Sequence, residues 1–149
     1  MSQPSLFGPP AGGGGAIANI DGGSRGNPGP AGYGVRIERE DGSVVELKEA
    51  LDTCTNNVAE YRGLLAALRW AADHGVAGLA IRSDSLLLVK QMRGEYRVKN
   101  AGLQPLYAEA RGLVRRIGKV TFEHVRRELN TEADRLANEA MDEADVRTP

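Results

Sequence analysis

The chain has 149 residues, a mass of 15.9 kDa and a net charge of −1, with 41% of its residues hydrophobic. That balance fits one globular domain of common size and excludes disorder over most of the length. A lone cysteine, Cys54, excludes an internal disulfide and a cysteine-built zinc cluster, and no apolar run is long enough to cross a bilayer.

In chain order, residues 1–15 are rich in Pro, Gly and Ser and read as a flexible tail. They carry neither a basic start nor an apolar signal core, so a cytoplasmic, monomeric chain with no membrane partner is expected. The folded domain is expected over 16–141, with a second flexible tail over 142–149. Ala16–Asp21 reads as a first strand, and Gly22–Pro30 as turn chemistry. Tyr33, Val35 and Ile37 alternate with Gly34, Arg36 and Glu38 as a half-buried strand, and Asp41-Gly42 turns it into a third strand over Val44–Leu51. Tyr61, Leu64, Leu65, Leu68 and Ala72 then mark one face of a helix that starts at Asn56 or Asn57 as N-cap and ends at Gly75. Leu79–Ser83 is a compact strand and Ser85–Met92 a short helix. Leu103, Leu106, Tyr107, Ala110, Val114 and Ile117 define a longer helix, Val120–Val125 a fifth strand, and Thr131–Met141 a last helix. Helices between single strands imply parallel crossovers, so the expected class is α/β, a mixed five-stranded sheet whose first three strands are antiparallel.

Charge is uneven along this layout. Residues 82–127 hold eleven Lys and Arg against four acids, whereas 128–149 hold seven acids and two arginines. One reading is an ordinary solvated surface; the other is a side that faces a polyanion.

Four acids occupy unusual places for surface decoration. Asp21 ends the first strand before the glycine-rich segment, and Asp84 ends the fourth strand where sites of parallel sheets assemble. Glu60 falls on the apolar side of its helix, and Asp134 near the inward edge of the last one. Each has a plainer reading as a capping residue: Glu60 with Asn57, Asp134 with Thr131, and Asp84 at the start of the next helix. The glycine-rich segment lacks the lysine and hydroxyl of a P-loop and the spacing of a dinucleotide fold. His74 and His124 read as structural. With one cysteine they make a poor transition-metal set, whereas clustered carboxylates suit Mg²⁺ or Mn²⁺.

Four segments in order, Asp21–Pro30, Thr55–Glu60, Ser83–Ser85 and Asn130–Ala137, closely resemble ribonuclease HI, and the likeness spans residues 16 to 141. It implies a ribonuclease H-like fold with helices on both sheet faces. It also implies a metal-dependent endonuclease that cuts the RNA strand of an RNA–DNA hybrid, leaving 5′-phosphate and 3′-hydroxyl ends. Asp21, Glu60, Asp84 and Asp134 would be the catalytic and metal-binding set, with two Mg²⁺ or Mn²⁺ ions in the substrate complex. Asn27, Asn56 and Asn57 match the family's minor-groove contacts, where an amide that both donates and accepts suits a 2′-hydroxyl. Thr55 matches a contact to the DNA-strand phosphate. A hybrid-binding module of the same fold with weak or no catalysis is the alternative.

The chain departs from the family pattern in three places. Many relatives carry a histidine between the last strand and last helix, where this chain has Arg126-Arg127-Glu128-Leu129-Asn130. Arg126, Arg127 and Glu128 are accessory candidates there, with Glu128 either shuttling a proton or neutralising its arginine neighbours. Leu86 stands where many relatives have a glutamine, and the basic insertion of some relatives is missing. In the tail, Gln3-Pro4-Ser5-Leu6-Phe7 resembles the peptide by which bacterial replication and repair proteins dock on the sliding clamp. Gln3, Leu6 and Phe7 are the candidate docking residues, and an inert start peptide is the alternative.

Overall fold

A computed structural model describes residues 14–147 of the chain. Gln3, Leu6 and Phe7 lie outside the described residues. The elements run β1 (Gly15–Ser24), β2 (Gly29–Arg39), β3 (Val44–Cys54), α1 (Asn56–Asp73), β4 (Gly78–Ser83), α2 (Leu86–Met92), α3 (Gln104–Ile117), β5 (Val120–His124) and α4 (Thr131–Arg147), with a 3₁₀ turn at Arg127–Leu129 before α4. The strands form one sheet in the order β3-β2-β1-β4-β5. β1–β2 and β2–β3 pair antiparallel, while β1–β4 and β4–β5 pair parallel, as the chain-order reading requires.

Helices cover both faces. On one, α1 presents Tyr61, Leu64, Leu65 and Leu68 to Ile20, Val35, Ile37 and Ile81, and α3 packs behind α1. On the other, α4 lies across β2, β3 and β1. Each approach is set by a glycine. A Cβ on Gly34 would fall 2.5 Å from the Ala133 carbonyl oxygen and from Leu136 Cβ, and one on Gly22 would fall 2.5 Å from the Ala59 carbonyl oxygen. No side chain fits at either distance, so α4 and α1 press directly on the sheet backbone from opposite sides.

Several boundaries differ from those the sequence suggests, and three of them bear on the packing. β1 continues through Gly22 and Gly23 to Ser24, and the turn shrinks to residues 25–28, because these glycines serve close packing inside a strand. Thr55, not either asparagine, caps α1: its Oγ1 accepts from the Val58 amide at 3.2 Å. The last helix does not stop at Met141 with a loose tail behind it but runs to Arg147. Ala144 extends the inward face of Ala137 and Ala140, and Asp142 pairs with Arg25 at 2.7 Å. The acids after Met141 decorate the outer side of a continuing helix.

Candidate active site

β1 and β4 run side by side with Ile20 opposite Ser83, so Asp21 and Asp84 emerge as neighbours one residue beyond that pair. Asp21 is also paired with Gly34, the residue on which α4 rests, and this brings the first turn of α4 with Asp134 over it. Glu60 arrives from the second turn of α1, beneath the opposite face, and takes a hydrogen bond from Ser85. All four carboxyls are half-buried.

Their electrostatics show who faces whom. Burial pushes the Asp21 carboxyl from 3.8 up to about 8, helped by the charge of Asp84 and by a hydrogen bond to Asp134, while the Gly22 amide at 2.9 Å pulls it back. Burial, then the charge of Asp84, lifts Glu60 from 4.5 to about 7. The four form a chain of pairs, Asp134 to Asp21 to Asp84 to Glu60. Asp134 stands at one end of that series, against Asp21.

Among the described residues, no three metal-binding side chains cluster tightly enough to cage an ion by themselves. The donor set nevertheless fits a hard divalent cation. Mg²⁺ is commonly held by one or two carboxylates, with water and substrate phosphate oxygens filling the remaining positions. Carboxyls raised toward neutrality by burial and by the charge of Asp84, as Asp21 and Glu60 are, are also the groups whose ionised form a cation would favour.

The substrate-contact candidates gather on the flank of this site. The Asn27 Oδ1 accepts from the Asn56 amide at 3.0 Å, and the Asn56 Oδ1 accepts from the Ser24 amide at 2.8 Å and the Ser24 hydroxyl at 3.3 Å. Asn27, Thr55 and Asn57 are exposed and Asn56 is half-buried. Arg126, Arg127 and Glu128 are exposed around the 3₁₀ turn, and Glu128 forms no ion pair among the described residues.

Asn130 is the residue whose role sequence reasoning missed. It is 1% exposed; its Nδ2 donates to the Ile20 carbonyl at 2.9 Å, and its Oδ1 accepts from Asn19 Nδ2 at 3.0 Å. Its own carbonyl accepts the Asp134 amide at 3.0 Å. One side chain thus pins the start of α4 to β1 beside Asp21. The available signal was an amide residue just ahead of a helix that carries a candidate ligand.

A family described as reverse transcriptase-like matches residues 19–140. A bifunctional protein of Mycobacterium tuberculosis is 49% identical over 130 residues, covering 86% of this chain and 36% of the relative. The ribonuclease HI of Halobacterium salinarum is 42% identical over 133 residues, covering 89% of this chain and 67% of the relative. The chain belongs to the ribonuclease HI family. The N-terminal RNase H domain of that mycobacterial protein superposes with a TM-score of 0.87 at 47% identity, covering 91% of this chain and 99% of the domain chain. LC11-RNase H1, solved in complex with an RNA/DNA hybrid, gives a TM-score of 0.81 at 41% identity over 87% of this chain and 98% of its own. The chain spans about a third of the mycobacterial protein's length.

Proposed function

We propose that the chain is an endoribonuclease that hydrolyses the RNA strand of RNA–DNA hybrids with Mg²⁺ or Mn²⁺, leaving 5′-phosphate and 3′-hydroxyl ends. The observation that carries this reading is the Asp134–Asp21–Asp84–Glu60 series, drawn from four elements to one sheet end in a ribonuclease HI fold. A fold member relying on shape alone has no use for carboxyls held this close at a cost in repulsion.

When bound, divalent ions would supply Lewis-acid charge to the scissile phosphate and lower the pKa of an attacking water. Asp21 on β1 and Asp84 just past the end of β4 would hold the cation charge at the strand ends. Glu60, fixed by Ser85, and Asp134, fixed through Asn130, present further carboxylate oxygens on either side. Asn27, Thr55, Asn56 and Asn57 line the flank along which a duplex would lie. Asn19 and Asn130 keep the α4 end in register while the phosphate is held.

Incubating labelled hybrid, duplex RNA and duplex DNA with the protein, with and without EDTA, tests the reading. Metal-dependent cleavage confined to the RNA of the hybrid, with products extendable from a 3′-hydroxyl, supports it. Binding without cleavage returns the hybrid-binding alternative, and equal cutting of duplex RNA overturns the substrate assignment. Docking of Gln3, Leu6 and Phe7 on a bacterial sliding clamp is a separate proposal, supported by the Gln-x-x-Leu-Phe pattern. It requires saturable clamp binding that Leu6→Ala with Phe7→Ala abolishes.

A further inference from the structure

Resting on that reading, we infer that Asp142, near the end of α4, is a positioning residue for hybrid binding. It holds Arg25, and through Arg25 the turn over residues 25–28 that presents Asn27 to the duplex. That turn is strung between two helices on opposite faces of the sheet. From the α1 side, the Asn56 amide donates to Asn27 Oδ1 at 3.0 Å. From the α4 side, Arg25 Nη2 donates to Asp142 Oδ1 at 2.7 Å, with Asn138 Oδ1 beside it at 3.4 Å. The Asn138 amide is fixed in this orientation, because its Nδ2 donates to the Asp134 carbonyl at 2.9 Å and leaves the oxygen toward the guanidinium. One cation thus meets two oxygens from successive turns of the helix.

Between these ties the turn has little freedom of its own. The Arg25 amide donates to the Pro30 carbonyl at 2.8 Å and closes the hairpin. A Cβ on Gly29 would collide with the Arg25 carbonyl oxygen, so the chain doubles back in contact with itself. A turn this compact moves as a unit, and whatever fixes Arg25 fixes Asn27. Asp142 stands eight residues beyond Asp134 on α4, about 12 Å along the helix axis. Its effect therefore falls on binding and leaves the carboxylates alone. Charge gives that effect a definite sign. An acid near a polyanion repels it, so deleting Asp142 as a bare charge tightens hybrid binding. Deleting it as the anchor of Arg25 weakens binding, since the turn is released. Both partners are solvent-exposed, so the tie adds little to folding.

The test compares KM and kcat for hybrid cleavage with Mg²⁺ in the wild type, Asp142→Asn, Asp142→Glu, Arg25→Ala and the Arg25→Ala/Asp142→Asn double variant, with thermal melting of each. The expected result is a KM raised about threefold in Asp142→Asn, at unchanged kcat and melting temperature, the mark of lost binding alone. Arg25→Ala should match it, the double variant should add nothing, and Asp142→Glu, which keeps the carboxylate, should stay close to the wild type. A KM for Asp142→Asn at or below the wild-type value overturns the inference, as does a fall in kcat at unchanged KM. A rise in Arg25→Ala far beyond that of Asp142→Asn, followed by the double variant, makes Arg25 itself a ligand of the duplex and overturns it too. All of these outcomes come from a protein that cuts hybrid, so they leave the nuclease reading intact. A wild type that neither binds nor cuts hybrid overturns both.

Discussion

The charge of Asp84 reaches two neighbours at once, raising both Asp21 and Glu60. Their folded-state values of about 8 and about 7 lie above the ordinary 3.8 and 4.5. Between about pH 4 and pH 8 the folded chain therefore holds protons that the unfolded chain has released. The stability from these carboxyls is full below about pH 4 and is lost as pH rises through about 8, so the protein in EDTA should melt at progressively lower temperature across that window. Asp84→Asn removes the shared charge without changing volume. It should lower hybrid cleavage by about a hundredfold or more while raising the EDTA melting temperature at pH 8 above that of the wild type, and a fall would contradict the coupling. These carboxyls were legible in the sequence because each sits in a short motif at an element end. Asn130 was not, since its partners Asn19 and Ile20 lie about 110 residues away and pairing at that separation leaves no local pattern. The tie from Arg25 to Asp142 was hidden for the same reason.

Among the elements, α4 brings Asp134 to the site by lying against the sheet. Its backbone rests on Gly34, and the Lys48–Glu139 and Arg135–Glu46 pairs bind its outer edge to β3. Those pairs are solvent-exposed, where screening and side-chain entropy leave an ion pair little net weight. The glycine contact governs the fit. Gly34→Ala should cost about 1–3 kcal/mol, measured as a shifted denaturant midpoint, because Ala133 and Leu136 must move away; an unchanged midpoint would show that α4 is free to lift. Helix and strand existence was legible from periodicity, and helix ends were not. Thr55, Asn56 and Asn57 are all competent caps, and Thr55 wins because the Asn56 side chain is drawn across to Ser24. The acids after Met141 resemble a tail until Ala144 is seen to be buried.

At the scale of the molecule, Arg97, Lys99, Arg115, Arg116, Lys119, Arg126 and Arg127 are exposed on the half of the chain that follows β4, opposite in sign to the outer side of α4. If this half meets the duplex backbone, each phosphate contact adds about −0.7 to −0.9 to the slope of log K against log salt. Three contacts give a slope of about −2 to −3 for hybrid binding, and a flat response would exclude the patch. The mixed topology was legible from the order of strands and helices. The way helices press on adjacent strands from the two faces was not, because it depends on glycines, Gly22 of β1 and Gly34 of β2, that look alike in a sequence whether they turn a chain or admit a helix.

The glycine contacts on both faces of the sheet have a kinetic consequence. β1 is flanked by β2 and β4 and clamped between α1 and α4, so amides around Ile20 and Asp21 have no local route to solvent. Their deuterium uptake should track global unfolding and be the slowest in the chain, while the edge strands β3 and β5 exchange through smaller openings. Exchange mass spectrometry on the apo protein would show this ordering, and fast labelling of the peptide containing Asp21 would refute it. Asp21 would then ride on the last segment to open, and heat inactivation should follow a single transition, with no temperature at which the domain stays folded and its carboxylate site has come apart.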